Sequence, residues 1–147
     1  MPSVLSSETV FRTPWFSVVA KTLDAGPSPY YLCKLPDYAS VLALTDDDRV
    51  ILVRQYRPVI EAVALELPGG LVDPGESPAA AIARELLEET GYTIGSLEAL
   101  EPAPVTDIGR LANRQWGFVA RGCRLDRTPG REPEAGIQTV QIGRAHV

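Results

Sequence analysis

Residues Gly70 to Tyr92, GLVDPGESPAAAIARELLEETGY, decide how the rest of this chain is read. Ser77 followed by Pro78 is a helix start, a hydroxyl cap ahead of a first-turn proline whose missing N–H costs no hydrogen bond. Gly91 is the residue type that ends helices in the left-handed conformation. The spacing therefore predicts a helix that Ser77 caps, Pro78 opens and Gly91 stops. At about 100° per residue, Ile82, Leu86, Ala79, Ala83 and Leu87 fall on one broad face, expected to be core. Glu85, Glu88 and Glu89 share an arc of about 100° on another face.

Those three carboxylates oppose one another, at roughly 0.2–0.5 kcal/mol for each like-charged pair three or four residues apart. Only Arg84 is near on the helix to offset them. A solvated charged face is the ordinary outcome for a Glu-rich helix, but such faces interleave lysine and this helix has none. A hard divalent cation removes the repulsion, taking carboxylate oxygens as ligands and filling its other positions with water and phosphate. The spacing favours a metal site.

Gly70, five residues, Glu76, seven residues, then Arg84-Glu85-Leu86-Leu87-Glu88-Glu89-Thr90-Gly91-Tyr92 resembles the signature box of the Nudix hydrolases. Tyr92 departs from it, standing where the family prefers an aliphatic residue. The resemblance implies an α+β chain, a Nudix-type α/β/α sandwich with a mixed β-sheet and the box helix on one face. It also implies Mg²⁺, with Mn²⁺ as a substitute, held by Glu85, Glu88 and Glu89, with the backbone carbonyl of Gly69 as a further ligand. Arg84 would orient the glutamates, and Glu76 would support the loop.

The 147 residues and 15.9 kDa are those of one domain able to bury a core, taken here as residues 1–147 with N-terminal strands over about residues 1–40. A hydrophobic share of 45% with 22% charged residues fits an ordinary globular chain. No apolar run reaches membrane-spanning length, and Met1 to Val10 lacks the basic start and apolar middle of a signal peptide, so a cytoplasmic protein is expected. A net charge of −5 argues against a nucleic-acid surface. It does not argue against a phosphorylated substrate, because bound cations dominate the local field. Cys33 and Cys123 have neither redox nor zinc spacing and are expected as buried thiols, a single disulfide being the alternative.

Before the box, FSVVAKTL (16–23) and YYLCKL (30–35) read as strands around a turn-rich gap, and their aromatics Trp15, Phe16, Tyr30 and Tyr31 are expected in core or cross-strand pairs. Residues 40–46 and 50–57 read as two more strands, joined by Asp46-Asp47-Asp48-Arg49, a solvated turn rather than a metal site. Arg54-Gln55-Tyr56-Arg57 followed by Glu66-Leu67-Pro68-Gly69-Gly70 resembles the ADP-ribose and ADP-sugar pyrophosphatase branch of Nudix proteins, with Gly69 in place of the usual alanine. That likeness implies substrate contacts for Arg57 and Glu66. It also implies a homodimer built through the N-terminal sheet.

After the box, residues 95–102 and 114–122 read as strands around a loop in which Asp107-Ile108-Gly109, Leu111 and Asn113 resemble an ADP-sugar pyrophosphatase stretch. Arg110 is a candidate for phosphate or ribose. Relatives carry a catalytic glutamate in the loop matching residues 126–136, where Glu132 and Glu134 are the candidates and Glu134 lies nearer the strand that follows. The last six residues, IGRAHV (142–147), can be encoded by the start of a common sequencing adapter; the natural end, with the family's C-terminal helix, is therefore expected to be missing, and His146 to carry no function.

The function this implies is Mg²⁺-dependent hydrolysis of a nucleoside diphosphate derivative, ADP-ribose or an ADP-sugar first, to AMP and a sugar phosphate. Two alternatives stand beside it: another Nudix substrate such as a GDP-sugar, dinucleotide or oxidised nucleotide, and a module that binds ADP-ribose without cleaving it.

Overall fold

The computed structural model describes residues 1–128 and 134–143, so Glu132 and His146 lie outside the described residues. The chain packs as two compact units, residues 1–37 with 104–115, and residues 38–103 with 116–147.

In the first unit β1 (Val4–Arg12), β2 (Ser17–Leu23) and β3 (Tyr30–Lys34) form an antiparallel sheet in the order β1-β2-β3. The loop 104–115 is tied to β3, the Cys33 amide donating to the Arg110 carbonyl at 2.7 Å and the Ala112 amide to the Cys33 carbonyl at 3.0 Å. All nine residues of β1 are exposed. The expected burial of the aromatics is corrected here, since Trp15 is 72% and Tyr31 57% exposed, and Phe16 and Tyr30 are also exposed. A three-stranded sheet with no helix of its own has too little apolar surface to cover them. One pair of rings does meet, Phe11 and Phe16, at 6.3 Å between centroids.

The second unit holds β4 (Tyr38–Thr45), β5 (Val50–Arg57), β6 (Ala62–Glu66), β7 (Gly69–Leu71), α1 (Pro78–Thr90), β8 (Tyr92–Thr93), β9 (Ser96–Leu100), most of β10 (Gln115–Leu125) and β11 (Gln138–Ile142). Its mixed sheet runs β11-β5-β4-β10-β8, with β6 on β5, β7 on β4 and β9 on β10. Alternation along β4 and β5 sends Ala39, Val41, Ala43 and Ile51 inward, where they meet Ile82, Leu86, Phe118 and Ala120. Each fully buried Ile or Leu there contributes roughly 1.5–3 kcal/mol. The architecture is α+β, and α1 is the one helix among the described residues.

Helix α1 begins and ends on the residues that mark it in the sequence. The Ser77 side chain accepts the Ala80 amide at 3.2 Å, and Gly91 closes the helix at φ 74° with its amide on the Leu87 carbonyl at 2.9 Å. Its buried face coincides only in part with the one the apolar periodicity indicates, sharing Ile82 and Leu86. Ala81, Ile82, Leu86, Glu89 and Thr90 are buried, while Ala79 and Ala83 are exposed. The buried stripe is rotated by about 80° towards the glutamates. On the opposing strand Gly70 offers no side chain, so the Glu85 carboxylate fits against bare backbone, and the Gly69 amide donates to the buried Glu89.

The aspartate turn between β4 and β5 is stapled within itself, Thr45 donating to Asp47 at 2.6 Å and Arg49 to Asp47 at 2.8 Å. Cys33 and Cys123 are both free thiols, Cys123 buried and Cys33 only partly so. No helix among the described residues is long and apolar enough to cross a membrane.

Candidate active site

Arg84 stands at the centre of the acidic residues. It grips Glu76 with both arms of the guanidinium, Nε to Oε1 at 3.1 Å and Nη2 to Oε2 at 3.0 Å, and reaches Glu85 at 2.8 Å, Glu88 at 3.1 Å and the Leu71 carbonyl at 3.1 Å. These carboxylates hold the Arg84 proton far more firmly than usual, Glu76 most of all. Glu76 in turn accepts the Asp73 amide at 3.2 Å, tying the loop before the helix to the helix itself.

The two glycines make the space. A Cβ on Gly70 would lie 2.3 Å from the Glu85 carboxyl carbon, so that carboxylate rests on the bare Cα. A Cβ on Gly69 would meet the Ala39 carbonyl oxygen at 2.3 Å, so the alanine usual in the resembling branch would fit here only if the backbone shifted. The Gly69 amide donates to Glu89 Oε2 at 2.9 Å. Glu89 is only 5% exposed, and its pKa is pushed up to about 7, by burial first and then by the Glu85 and Glu134 charges, against the pull of the Gly69 amide. Burial also raises Glu85, with Arg84 opposing it.

Each of the three glutamates therefore spends one oxygen on the protein and keeps the other unbonded among the described residues: Oε2 of Glu85, Oε1 of Glu88 and Oε1 of Glu89. The free Glu89 oxygen is not sealed in, because Asn113 Oδ1 is the one fully buried side-chain polar atom without a partner among the described residues.

The other sequence candidates fall in three places. Glu134 joins the cluster: its amide donates to the Glu88 carbonyl at 2.8 Å and its charge bears on Glu85 and Glu89. Arg57 and Glu66, the last residues of β5 and β6, pair bidentately at 2.8 and 2.7 Å although the ladder sets them opposite Ala62 and Val53, and the pair depresses Glu66 and further stabilises the Arg57 cation. Arg110 belongs to the first unit, is 83% exposed, and has Asp107 at 3.8 Å as its charged neighbour. The sequence reading passed over Tyr38, whose phenol responds to Glu89, Arg57, Glu66 and Glu85. Nothing in its local sequence marks it; a tyrosine opening a strand reads as packing.

Residues 34–142, well over half of the chain, match the NUDIX domain model. The chain belongs to the Nudix family. This Nudix chain is 35% identical over 137 residues to the ADP compounds hydrolase NudE of Escherichia coli, covering 90% of the chain and 73% of that protein. It is 42% identical over 66 residues to the ADP-ribose pyrophosphatase of Bacillus subtilis, covering 45% of the chain and 36% of that protein. It is also 38% identical over 113 residues to the methanol dehydrogenase activator of Bacillus methanolicus, of which it spans 58%. A crystal structure of an ADP compounds hydrolase superposes on 99% of the chain and 80% of its own length, with a TM-score of 0.77 at 29% identity. The likeness runs to the ADP-ribose and ADP-sugar pyrophosphatase branch of the Nudix family.

Nudix proteins use divalent metals, and the donor set here fits a hard cation. Three carboxylates with unspent oxygens lie within two helical turns, and the charge on two of them is opposed by burial. Among the described residues no three His, Cys, Asp or Glu side chains yet converge on one point, because Arg84 holds Glu85 and Glu88 while Gly69 holds Glu89.

Proposed function

We propose that this Nudix chain hydrolyses the pyrophosphate bond of a nucleoside diphosphate derivative, with Mg²⁺ or, in its place, Mn²⁺. ADP-ribose or an ADP-sugar is the substrate, and AMP and a sugar phosphate are the products. One observation carries the reading: three glutamates of a single helix each keep an oxygen free, and two of them, Glu85 and Glu89, lie against the bare backbone of Gly70 and Gly69. Similarity to ADP compounds hydrolases and ADP-ribose pyrophosphatases supports the substrate class.

Glu85, Glu88, Glu89 and the Gly69 carbonyl would hold the cation. When bound, it supplies positive charge that offsets the carboxylates and polarises phosphate oxygens towards attack. Arg84 fixes the rotamers of Glu85 and Glu88, so their free oxygens are presented without a further entropic cost. Glu134 is the candidate base, taking at its carboxylate the proton that the attacking water gives up. Water adds to one phosphorus, the bridging P–O bond breaks, and the bridging oxygen leaves with the other phosphate. Arg57 turns its planar fork from Glu66 to phosphate, for which a bidentate guanidinium is suited, and Glu66 then accepts from a substrate hydroxyl. Arg110 is a further contact for phosphate or ribose.

The protein acts as a single Nudix domain, in the cytoplasm and as a homodimer. The exposed β1 strand, with Leu5 at 66% and Phe11 at 55% exposure, supports pairing with a second copy. A screen of nucleotide sugars, dinucleotides and oxidised nucleotides with Mg²⁺, read as AMP or other nucleotide release, tests the reaction. Release of AMP from ADP-ribose or an ADP-sugar is expected. Tight ADP-ribose binding without turnover would instead make the chain a sensor.

A further inference from the structure

Tyr92 is the residue of the box that departs from the family's preference for an aliphatic side chain. It is 8% exposed and belongs to the core cluster of Ile51, Ile82 and Leu86, a place that an aliphatic residue fills equally well. The phenol reaches further, because the Gln141 side-chain amide donates to its hydroxyl. Strand pairing agrees with that reach. Gln141 stands opposite the fully buried Ile51, so its side chain leaves β11 on the face of the sheet that carries the core. β11 and β8 lie at opposite ends of the strand order β11-β5-β4-β10-β8, and this bond links them.

The segment that leads into β11 is tied to the same end of the helix. The Glu134 amide donates to the Glu88 carbonyl at 2.8 Å, and the Ile137 amide to the Glu134 carbonyl at 3.2 Å. Residues 134–141 are therefore fastened twice, to Glu88 in the last turn of α1 and to Tyr92 just beyond it. Between those points the five residues of β11 pair with β5 alone among the described residues. A strand paired on one edge opens more readily than a central one.

We propose that Tyr92 is a positioning residue: through Gln141 it holds β11 against the end of α1 and so keeps the Glu134 carboxylate beside the glutamates of the helix. This rests on the reading of Glu134 as the base given above. An aliphatic residue in place of Tyr92 fills the core but leaves β11 to its ladder with β5.

The test is steady-state hydrolysis of ADP-ribose with Mg²⁺ by Tyr92→Phe and Gln141→Ala, each made in the wild type and in Glu134→Gln. Loss of the bond should lower kcat about five- to tenfold in the wild-type background with KM within about twofold, since a misplaced base impairs the chemical step and not binding. In the Glu134→Gln background the same substitutions should change kcat by less than about twofold, because no base is left to misplace. An unchanged kcat, an equal fall in both backgrounds, or a rise in KM alone would overturn the positioning role. Failure of both variants to fold would make the bond structural and overturn it equally. A wild type that does not turn over ADP-ribose, or a Glu134→Gln variant as active as the wild type, would overturn the functional reading itself and this role with it, so the two failures are distinct.

Discussion

Glu89 shows how much a single side chain can hold in this molecule. Burial and neighbouring carboxylates lift its pKa from the ordinary carboxylate value of 4.5 to about 7, so the folded protein binds this proton more tightly than the unfolded chain does. That contribution to stability is complete below about pH 4.5 and is lost as the pH rises through about 7, up to about 3 kcal/mol in all. Glu66 and Glu76, depressed by Arg57 and Arg84, act in the opposite sense and below that window. Denaturant titrations in EDTA should therefore show stability falling between pH 5 and 7.5. Divalent cation affinity should rise over the same interval, because binding must displace the proton. A flat profile would remove the charge strain from the account.

The two glycines separate stability from activity. Gly70→Ala meets the movable end of Glu85, so it should abolish turnover while costing less than about 1 kcal/mol. Gly69→Ala meets the backbone of Ala39 and Ser40 and should cost about 1–3 kcal/mol. Equal melting temperatures for the two variants would contradict this. Of the residues in and around the cluster, the box glutamates, Arg84 and Glu134 were legible from spacing and resemblance. The influence of Glu89 and Arg57 on Tyr38 was not, because nothing in its local sequence marks it.

At the scale of elements, α1 was legible at both ends, since Ser77, Pro78 and Gly91 are local signals that need no tertiary context. Its orientation was not. Apolar periodicity counts side chains on the helix, whereas burial also depends on what the facing strands lack, and Gly69 and Gly70 turn the acidic edge inward. Ala83→Lys should accordingly be tolerated within about 0.5 kcal/mol, while Ala81→Lys should cost several times that, measured by thermal unfolding. The reverse order would restore the face that periodicity indicates. β5 (Val50–Arg57) matched its apolar run to the residue, but β1 (Val4–Arg12) and the two-residue β8 (Tyr92–Thr93) went unread. β1 buries none of its residues, so no alternation betrays it, and β8 is too short to carry a pattern.

At the scale of the molecule, the α+β class followed from the box and its flanking strands, whereas the division into two compact units did not, because the loop 104–115 joins the N-terminal sheet only through long-range pairing. The exposed residues of that sheet predict association: sedimentation should give a dimer, and Leu5→Glu with Phe11→Glu should give a monomer. A monomeric wild type would remove the homodimer from the reading. The central claim is that the carboxylates of α1 hold a cation against a diphosphate. Mg²⁺-dependent AMP release from ADP-ribose by Glu89→Gln beside the wild type tests it most directly. A loss of at least about a hundredfold in kcat, with the melting temperature maintained, is the predicted result, and wild-type turnover by Glu89→Gln would contradict it.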